Sequence, residues 1–188
     1  MRVCVFCSSS EAVDERLLTQ GESLGRALAR AGHEVVYGGT AMGTMGAVAD
    51  GARSEGGRVI GVLPAFLRDR GIADEACDEL VVTGDLLERK REMLGRSDAF
   101  LALPGGLGTL DELLEVVTHI QLGQLTGPVV LLDAGGFWDA LLGLLHGLQA
   151  QGLARTPEEL LQVVDRVEDA VAGLESPPRR RPDAVRWA

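Results

Sequence analysis

Short apolar runs rich in β-branched residues alternate with amphipathic stretches along the whole chain, and this alternation restricts the fold more than any other feature. The runs expected as strands are Val3–Phe6, Glu34–Tyr37, Arg58–Leu63, Glu79–Val82, Ala99–Leu103 and Pro128–Leu132, with a further candidate at Leu161–Val164. Helical periodicity covers 13–31, 43–55, 86–96, 110–122, 137–151 and 166–173. A run such as Val129-Val130-Leu131-Leu132 shows no polar alternation. Both faces of such a strand must be covered, as they are in a parallel sheet with helices on each side. The expectation is an α/β fold: a doubly wound, Rossmann-like parallel sheet flanked by helices in one domain. Ligands of such folds sit in the crevice at the strands' carboxyl ends. At 188 residues the chain is long enough to bury about 70% of its unfolded surface without a disulfide or metal staple.

Charge narrows the classes of partner. The chain has 18 basic and 28 acidic residues, a net charge of −10. The Pro- and Arg-rich segment 176–188 carries four Arg and one Asp, and is expected to be a flexible tail. The expected domain, residues 1–175, holds 14 basic and 27 acidic residues and so carries −13. Such a body repels a phosphate backbone, and seven aromatic residues offer little stacking surface, so no nucleic-acid partner is expected. No apolar run reaches the ~18–20 residues of a membrane helix, so no membrane partner is expected. Met1–Phe6 reads as a first strand and not as a signal peptide, so the expectation is a cytoplasmic protein with Cys4, Cys7 and Cys77 as reduced thiols. Cys4 and Cys7 form a C-x-x-C without a second ligand pair at zinc spacing, so no metal is expected.

Glycines gather at two strand ends, in Gly38-Gly39-Thr40-Ala41-Met42-Gly43 and in Gly105-Gly106-Leu107-Gly108-Thr109. Each turn opens a helix, where free amides and the positive end of the helix dipole favour an anion and missing side chains let a phosphate approach. The same glycines also suit tight turns and close helix–sheet packing. Neither turn is a Walker loop, and the first strand–helix turn, Cys7-Ser8-Ser9-Ser10, lacks the glycines of a dinucleotide fingerprint.

Two acidic–basic clusters follow. Thr109 and Glu112 have capping-box spacing, and so do Asp85 and Glu88. Glu112 therefore reads either as a partner of the helix start or as a carboxylate one turn from a bound phosphate. Arg89 and Lys90 fall near the start of their helix, where a cation is mildly unfavourable. They read either as part of a solvated charged face or as groups that meet an anion.

The run Pro104-Gly105-Gly106-Leu107-Gly108-Thr109-Leu110-Asp111-Glu112, with Arg89-Lys90 upstream, resembles the PGGxGTxxE and RK signatures of the LOG ("lonely guy") family, long labelled lysine decarboxylases. The resemblance extends over Val5–Ser9, Val36–Gly39, Met45–Asp50, Gly61–Pro64, Ser97–Phe100 and Gln121–Gly123. It implies a phosphoribohydrolase that cleaves the N-glycosidic bond of a cytokinin-type or adenine nucleoside 5′-monophosphate, giving free base and ribose 5-phosphate. It further implies a nucleotide-monophosphate-binding domain over residues 1–175 and a homodimer. Arg89 and Glu112 match the family's catalytic pair. Lys90, Gly105, Gly106, Leu107, Gly108, Thr109, Leu110, Asp111 and Thr118 match its substrate-binding positions, and Gly39 and Ser9 would line the same cleft. Leu86-Leu87 stands where many relatives have Met-His, and Gly71 stands near a position where many have Glu. The base is therefore left open.

No cofactor is expected. A pyridoxal-phosphate decarboxylase needs a lysine for its Schiff base, and Lys90, the one lysine of the chain, sits in a charged helix. The alternative from another class is a non-catalytic carrier of a nucleotide or phosphorylated cofactor, which would not need the Arg89–Glu112 pair. His33, His119 and His146 are widely spaced and read as packing or surface residues, and the Leu-rich Phe137–Leu148 reads as a core helix.

Overall fold

The computed structural model describes residues 1–133 and 135–176, so the expected tail lies outside the described residues apart from Ser176. Strand β1 (Arg2–Phe6) has the sequence Arg-Val-Cys-Val-Phe, which is apolar on both faces, and its last four residues are buried. That double burial puts it in the middle of a seven-stranded sheet. The other strands are β2 (Glu34–Tyr37), β3 (Val59–Pro64), β4 (Glu79–Thr83), β5 (Ala99–Ala102), β6 (Val129–Leu132) and β7 (Gln162–Val164). Their order is β4-β3-β2-β1-β5-β6-β7 and every pairing is parallel. Val3 is in register with Val35 on one side and Ala99 on the other. The chain steps outward from β1 to β4 and then returns to the far side of β1 for β5. The switch point therefore lies between β1 and β5, where an open α/β sheet forms its crevice.

Helices α1 (Glu15–Arg30), α2 (Gly43–Ser54) and α8 (Val167–Glu175) cover one face. Leu24, Leu28, Val48, Ala52 and Leu174 pack there on Val3, Val5 and Val35. Helices α4 (Leu86–Gly95), α5 (Leu107–Gln121) and α6 (Asp139–Ala150) cover the other, through Met93, Leu113, Val116 and Leu145 against Phe6, Val36 and Phe100. Phe6 and Phe100 stack with ring centroids 6.4 Å apart. Each such side chain contributes about 1.5–3 kcal/mol over leaving it in water. The two-residue period of β1 sends Cys4 into one core and Cys7 into the other. Their thiols face opposite sides of the sheet, so the C-x-x-C cannot clamp one ion.

Long elements match their expected places within a few residues. The single turns α3 (Ala65–Arg68) and α7 (Pro157–Leu160) are too short to produce a helical period. The Leu-rich segment is a helix packed on the core along one face, with Leu141, Leu142 and Leu148 half-buried beside Leu145. Trp138, just before α6, is buried and donates its indole N–H to the Leu132 carbonyl at 3.1 Å, while within α6 Leu145 is buried and Leu144 is 60% exposed.

Candidate active site

The start of α4 is fixed by its expected capping box. Asp85 accepts from the Glu88 amide at 2.7 Å, and the Glu88 carboxylate accepts from the Gly84 amide at 2.6 Å. This anchoring turns the next residue, Arg89, inward over the carboxyl ends of the strands, where it is 8% exposed. Its Nε donates to the Val62 carbonyl at 3.0 Å, and its Nη1 donates to Glu112 Oε1 at 2.6 Å. Its guanidinium lies against the Cα of Gly38, where a Cβ would overlap it and would come within 2.7 Å of Met45 Sδ. A buried guanidinium is tolerable only with such partners.

Helix α5 begins at Leu107, three residues earlier than its periodicity suggests, with Gly106 as N-cap and no side-chain cap. Thr109 thus lies inside the first turn, and its hydroxyl packs against the Cα of Gly105. The capping-box reading of Thr109 and Glu112 is overturned, because Glu112 turns inward to Arg89 and is 3% exposed. Burial raises the Glu112 carboxyl above the ordinary glutamate range. The adjacent Arg89 opposes that shift without cancelling it, and the Asp111 charge adds to it.

The two glycine turns differ in what they leave free. Helix α2 also lacks a side-chain cap, but its Met45 amide donates to the Ser8 carbonyl at 3.0 Å. The opening of α5 has Gly106, Leu107 and Gly108 exposed and no side chain on its first amides. Of the two turns, α5 is the better anion seat. Exposed Ser9 belongs to the β1–α1 loop that rests on Gly43 at the start of α2. Gly39 is buried at the end of β2 with φ +75°, a conformation that favours glycine.

The structure divides the expected site residues. Arg89, Glu112, Gly105 and Thr109 cluster at the carboxyl edge, with half-buried Leu110 beside them on α5. Lys90, Asp111 and Thr118 lie instead on the outer side of α4 and α5, in a concavity of about 380 Å³ also lined by Leu114, Glu115 and His119. Lys90 Nζ is 2.9 Å from Asp111 Oδ2 and 2.6 Å from Glu115 Oε2. Thr118 donates to the Leu114 carbonyl at 2.7 Å, and His119 Nδ1 is 2.8 Å from Gln124 Oε1. Sequence reasoning missed Gly38 and the Val62 carbonyl as the groups that seat Arg89. The Tyr37-Gly38-Gly39 run signalled the first, and a backbone acceptor has no sequence signal.

Known proteins share this fold. A family model described as "possible lysine decarboxylase" matches residues 45–174. A cytokinin riboside 5′-monophosphate phosphoribohydrolase of Mycobacterium tuberculosis is 45% identical over 170 residues, which is 90% of each chain. The chain belongs to the LOG family. A phosphoribohydrolase of the same name from Arabidopsis thaliana is 38% identical over 175 residues, covering 93% of this chain and 81% of its own. The molybdenum cofactor carrier protein of Chlamydomonas reinhardtii superimposes with a TM-score of 0.71 at 26% identity, over 93% of this chain and 95% of its own.

The decarboxylase label of this LOG-family model does not fit the residues. A Schiff-base lysine needs a free, easily deprotonated amine. Hydrogen bonds from Lys90 to Glu115 and Asp111, and their charges, hold its ammonium above the ordinary lysine range against a smaller opposing effect of burial. The LOG-family enzymes named above are, by their names, hydrolases of N-glycosidic bonds, a reaction that calls for a carboxylate and not for a Schiff base.

Proposed function

We propose that this protein hydrolyses the N-glycosidic bond of an adenine-type nucleoside 5′-monophosphate, releasing the free base and ribose 5-phosphate. The observation that carries this reading is the buried Arg89–Glu112 pair, 2.6 Å apart, beside an uncapped helix start in a glycine turn. A carrier has no need of a buried, mutually hydrogen-bonded guanidinium and carboxylate.

In this reading the amides of Gly105–Thr109, at the open start of α5, and the Thr109 hydroxyl seat the 5′-phosphate, with Leu110 beside them and Ser9 and Gly39 along the cleft. The bond from the anomeric carbon to the base breaks with its electron pair leaving on the base nitrogen, and the ribose becomes oxocarbenium-like. The ionised Glu112 stabilises that positive charge and takes a proton from the attacking water. That proton then passes by way of solvent to the nitrogen of the departed base, which leaves neutral and returns Glu112 to its ionised form. Arg89 stays protonated throughout and so is no general acid. It orients Glu112 and stabilises the charge gathering on the departing base. Lys90, tied to Asp111 and Glu115, joins α4 to α5 and so holds Arg89 against Glu112. It reaches substrate by exchanging one of those carboxylates for a substrate group, while Asp111 and Thr118 form the outer wall. Leu86, Leu87, Leu107, Leu114 and Leu122 are exposed on α4 and α5, and we assign them to the interface of a homodimer. Three free cysteines suit a reducing, cytoplasmic setting. Residues 1–175 act as one nucleotide-binding unit.

Phosphate binding far from the reacting bond supplies positioning energy for it. AMP and isopentenyladenosine monophosphate are therefore expected to release base at least about 10²-fold faster than adenosine, as kcat/KM followed by chromatography. Equal turnover of AMP and adenosine contradicts the phosphate seat. The pH profile follows from Glu112. Its carboxyl titrates above the ordinary range, and the ionised form is the active one. Activity thus falls as pH drops through that raised value, placing the acidic limb of kcat/KM, which reports the free enzyme, above that of a solvent-exposed glutamate. A limb in the ordinary carboxylate range contradicts the assignment.

A further inference from the structure

A second buried carboxylate, Asp74, lies in the connection between β3 and β4 and is 2% exposed. Its Oδ2 accepts from the Tyr37 hydroxyl at 2.6 Å and from Arg53 Nη1 at 2.8 Å, and its Oδ1 accepts from the Ala76 amide at 3.0 Å. The other arm of the Arg53 guanidinium binds Asp50 at 2.7 Å. Burial pushes the Asp74 carboxyl upward, but the hydrogen bonds from Tyr37, Arg53 and Ala76 outweigh it and hold the group below the ordinary aspartate range. A buried charge of this kind is costly to desolvate and is poor evidence for stability by itself.

Its position relative to the glycine turn gives it a use. Tyr37 is the last residue of β2 and directly precedes Gly38, on which the Arg89 guanidinium rests. The Asp74 amide donates to the Gly39 carbonyl at 2.9 Å, and Thr40 forms an isolated bridge with Ala73. The Gly39 Cα also meets Gly61 of β3 so closely that a Cβ on Gly61 would lie 3.0 Å from it. The turn is thus held by β3 and by a strap of residues 72–74, with the Asp74 side chain on Tyr37 before Gly38 and the Asp74 amide on Gly39 after it.

We propose that Asp74 is a positioning residue: by fixing Tyr37 and Gly39 around Gly38, it sets the place of the Arg89 guanidinium against Glu112. The inference rests on the phosphoribohydrolase reading above. A purely structural staple between α2 and the β3–β4 connection would change the unfolding temperature and leave turnover per folded molecule untouched.

Asp74→Asn and Tyr37→Phe, assayed on AMP well below their unfolding midpoints, separate the two. Asp74→Asn is expected to lower kcat about tenfold with KM within about twofold, and Tyr37→Phe about threefold with the same split, since small misplacements of a catalytic group cost this much. The acidic limb of kcat/KM is expected to move to higher pH in Asp74→Asn, because a displaced Arg89 depresses the Glu112 carboxyl less. If Asp74→Asn does not fold, Tyr37→Phe decides alone. Unchanged kcat and an unchanged limb, whatever the unfolding temperature, overturn the positioning role. Absence of base release by the unaltered protein overturns the phosphoribohydrolase reading itself, and the positioning role with it.

Discussion

Glu112→Gln is expected to lower kcat for AMP by about 10²–10⁴-fold, the range in which one positioned acid–base group contributes. The amide fills the same space, and its oxygen can still accept from Arg89 Nη1, which lies 2.6 Å from the present carboxylate. What disappears is the negative charge facing the developing oxocarbenium ion and the acceptor for the proton of water. Phosphate binding rests on the opening of α5, so KM is expected to stay within a few-fold of its original value. Steady-state kinetics of base release measure both. A variant with near-normal kcat assigns Glu112 a purely structural place beside Arg89.

Gly38→Ala carries the second large effect. The new methyl would overlap the Arg89 guanidinium and crowd Met45 Sδ, and both obstacles are the far ends of flexible side chains. The chain can therefore still fold, at a cost of about 1–3 kcal/mol for overpacking, with Arg89 pushed away from Glu112. Displacement of a catalytic group by about 1 Å costs on the order of 10²-fold in rate, so kcat is expected to fall by that much. Thermal unfolding and kinetics on the same preparation separate the two effects. Loss of structure without any change in kcat per folded molecule contradicts the seat assigned to Gly38.

Much of this fold was legible because its strands are apolar on both faces. Runs such as Val129–Leu132 admit few structures other than a covered parallel sheet, and β6 occupies that run. Periodicity also located α1, α2 and α4 closely, since an Asp cap marks the starts of α1 and α4 and Gly43 opens α2. The start of α5 was less legible, because Leu107 and Gly108 look like loop residues until Gly106 is seen to cap the helix. That shift of three residues turned Glu112 from a helix-start partner into a buried partner of Arg89. The spacing could not reveal where Lys90 points, because neighbouring residues on a helix are turned by about 100° from one another. Arg89 faces the sheet, and Lys90 faces Asp111 and Glu115. The Asp74 network was invisible for a similar reason: Tyr37, Arg53 and Asp74 are brought together by tertiary packing across β2, α2 and the β3–β4 connection.

The most direct test of the phosphoribohydrolase reading is the product balance from AMP. Purified protein incubated with AMP is expected to release adenine and ribose 5-phosphate in equal amounts, with isopentenyladenosine monophosphate as a parallel substrate and Glu112→Ala as the silent control. Tight binding of these nucleotides without release of base or ribose 5-phosphate would contradict it and identify the protein as a carrier.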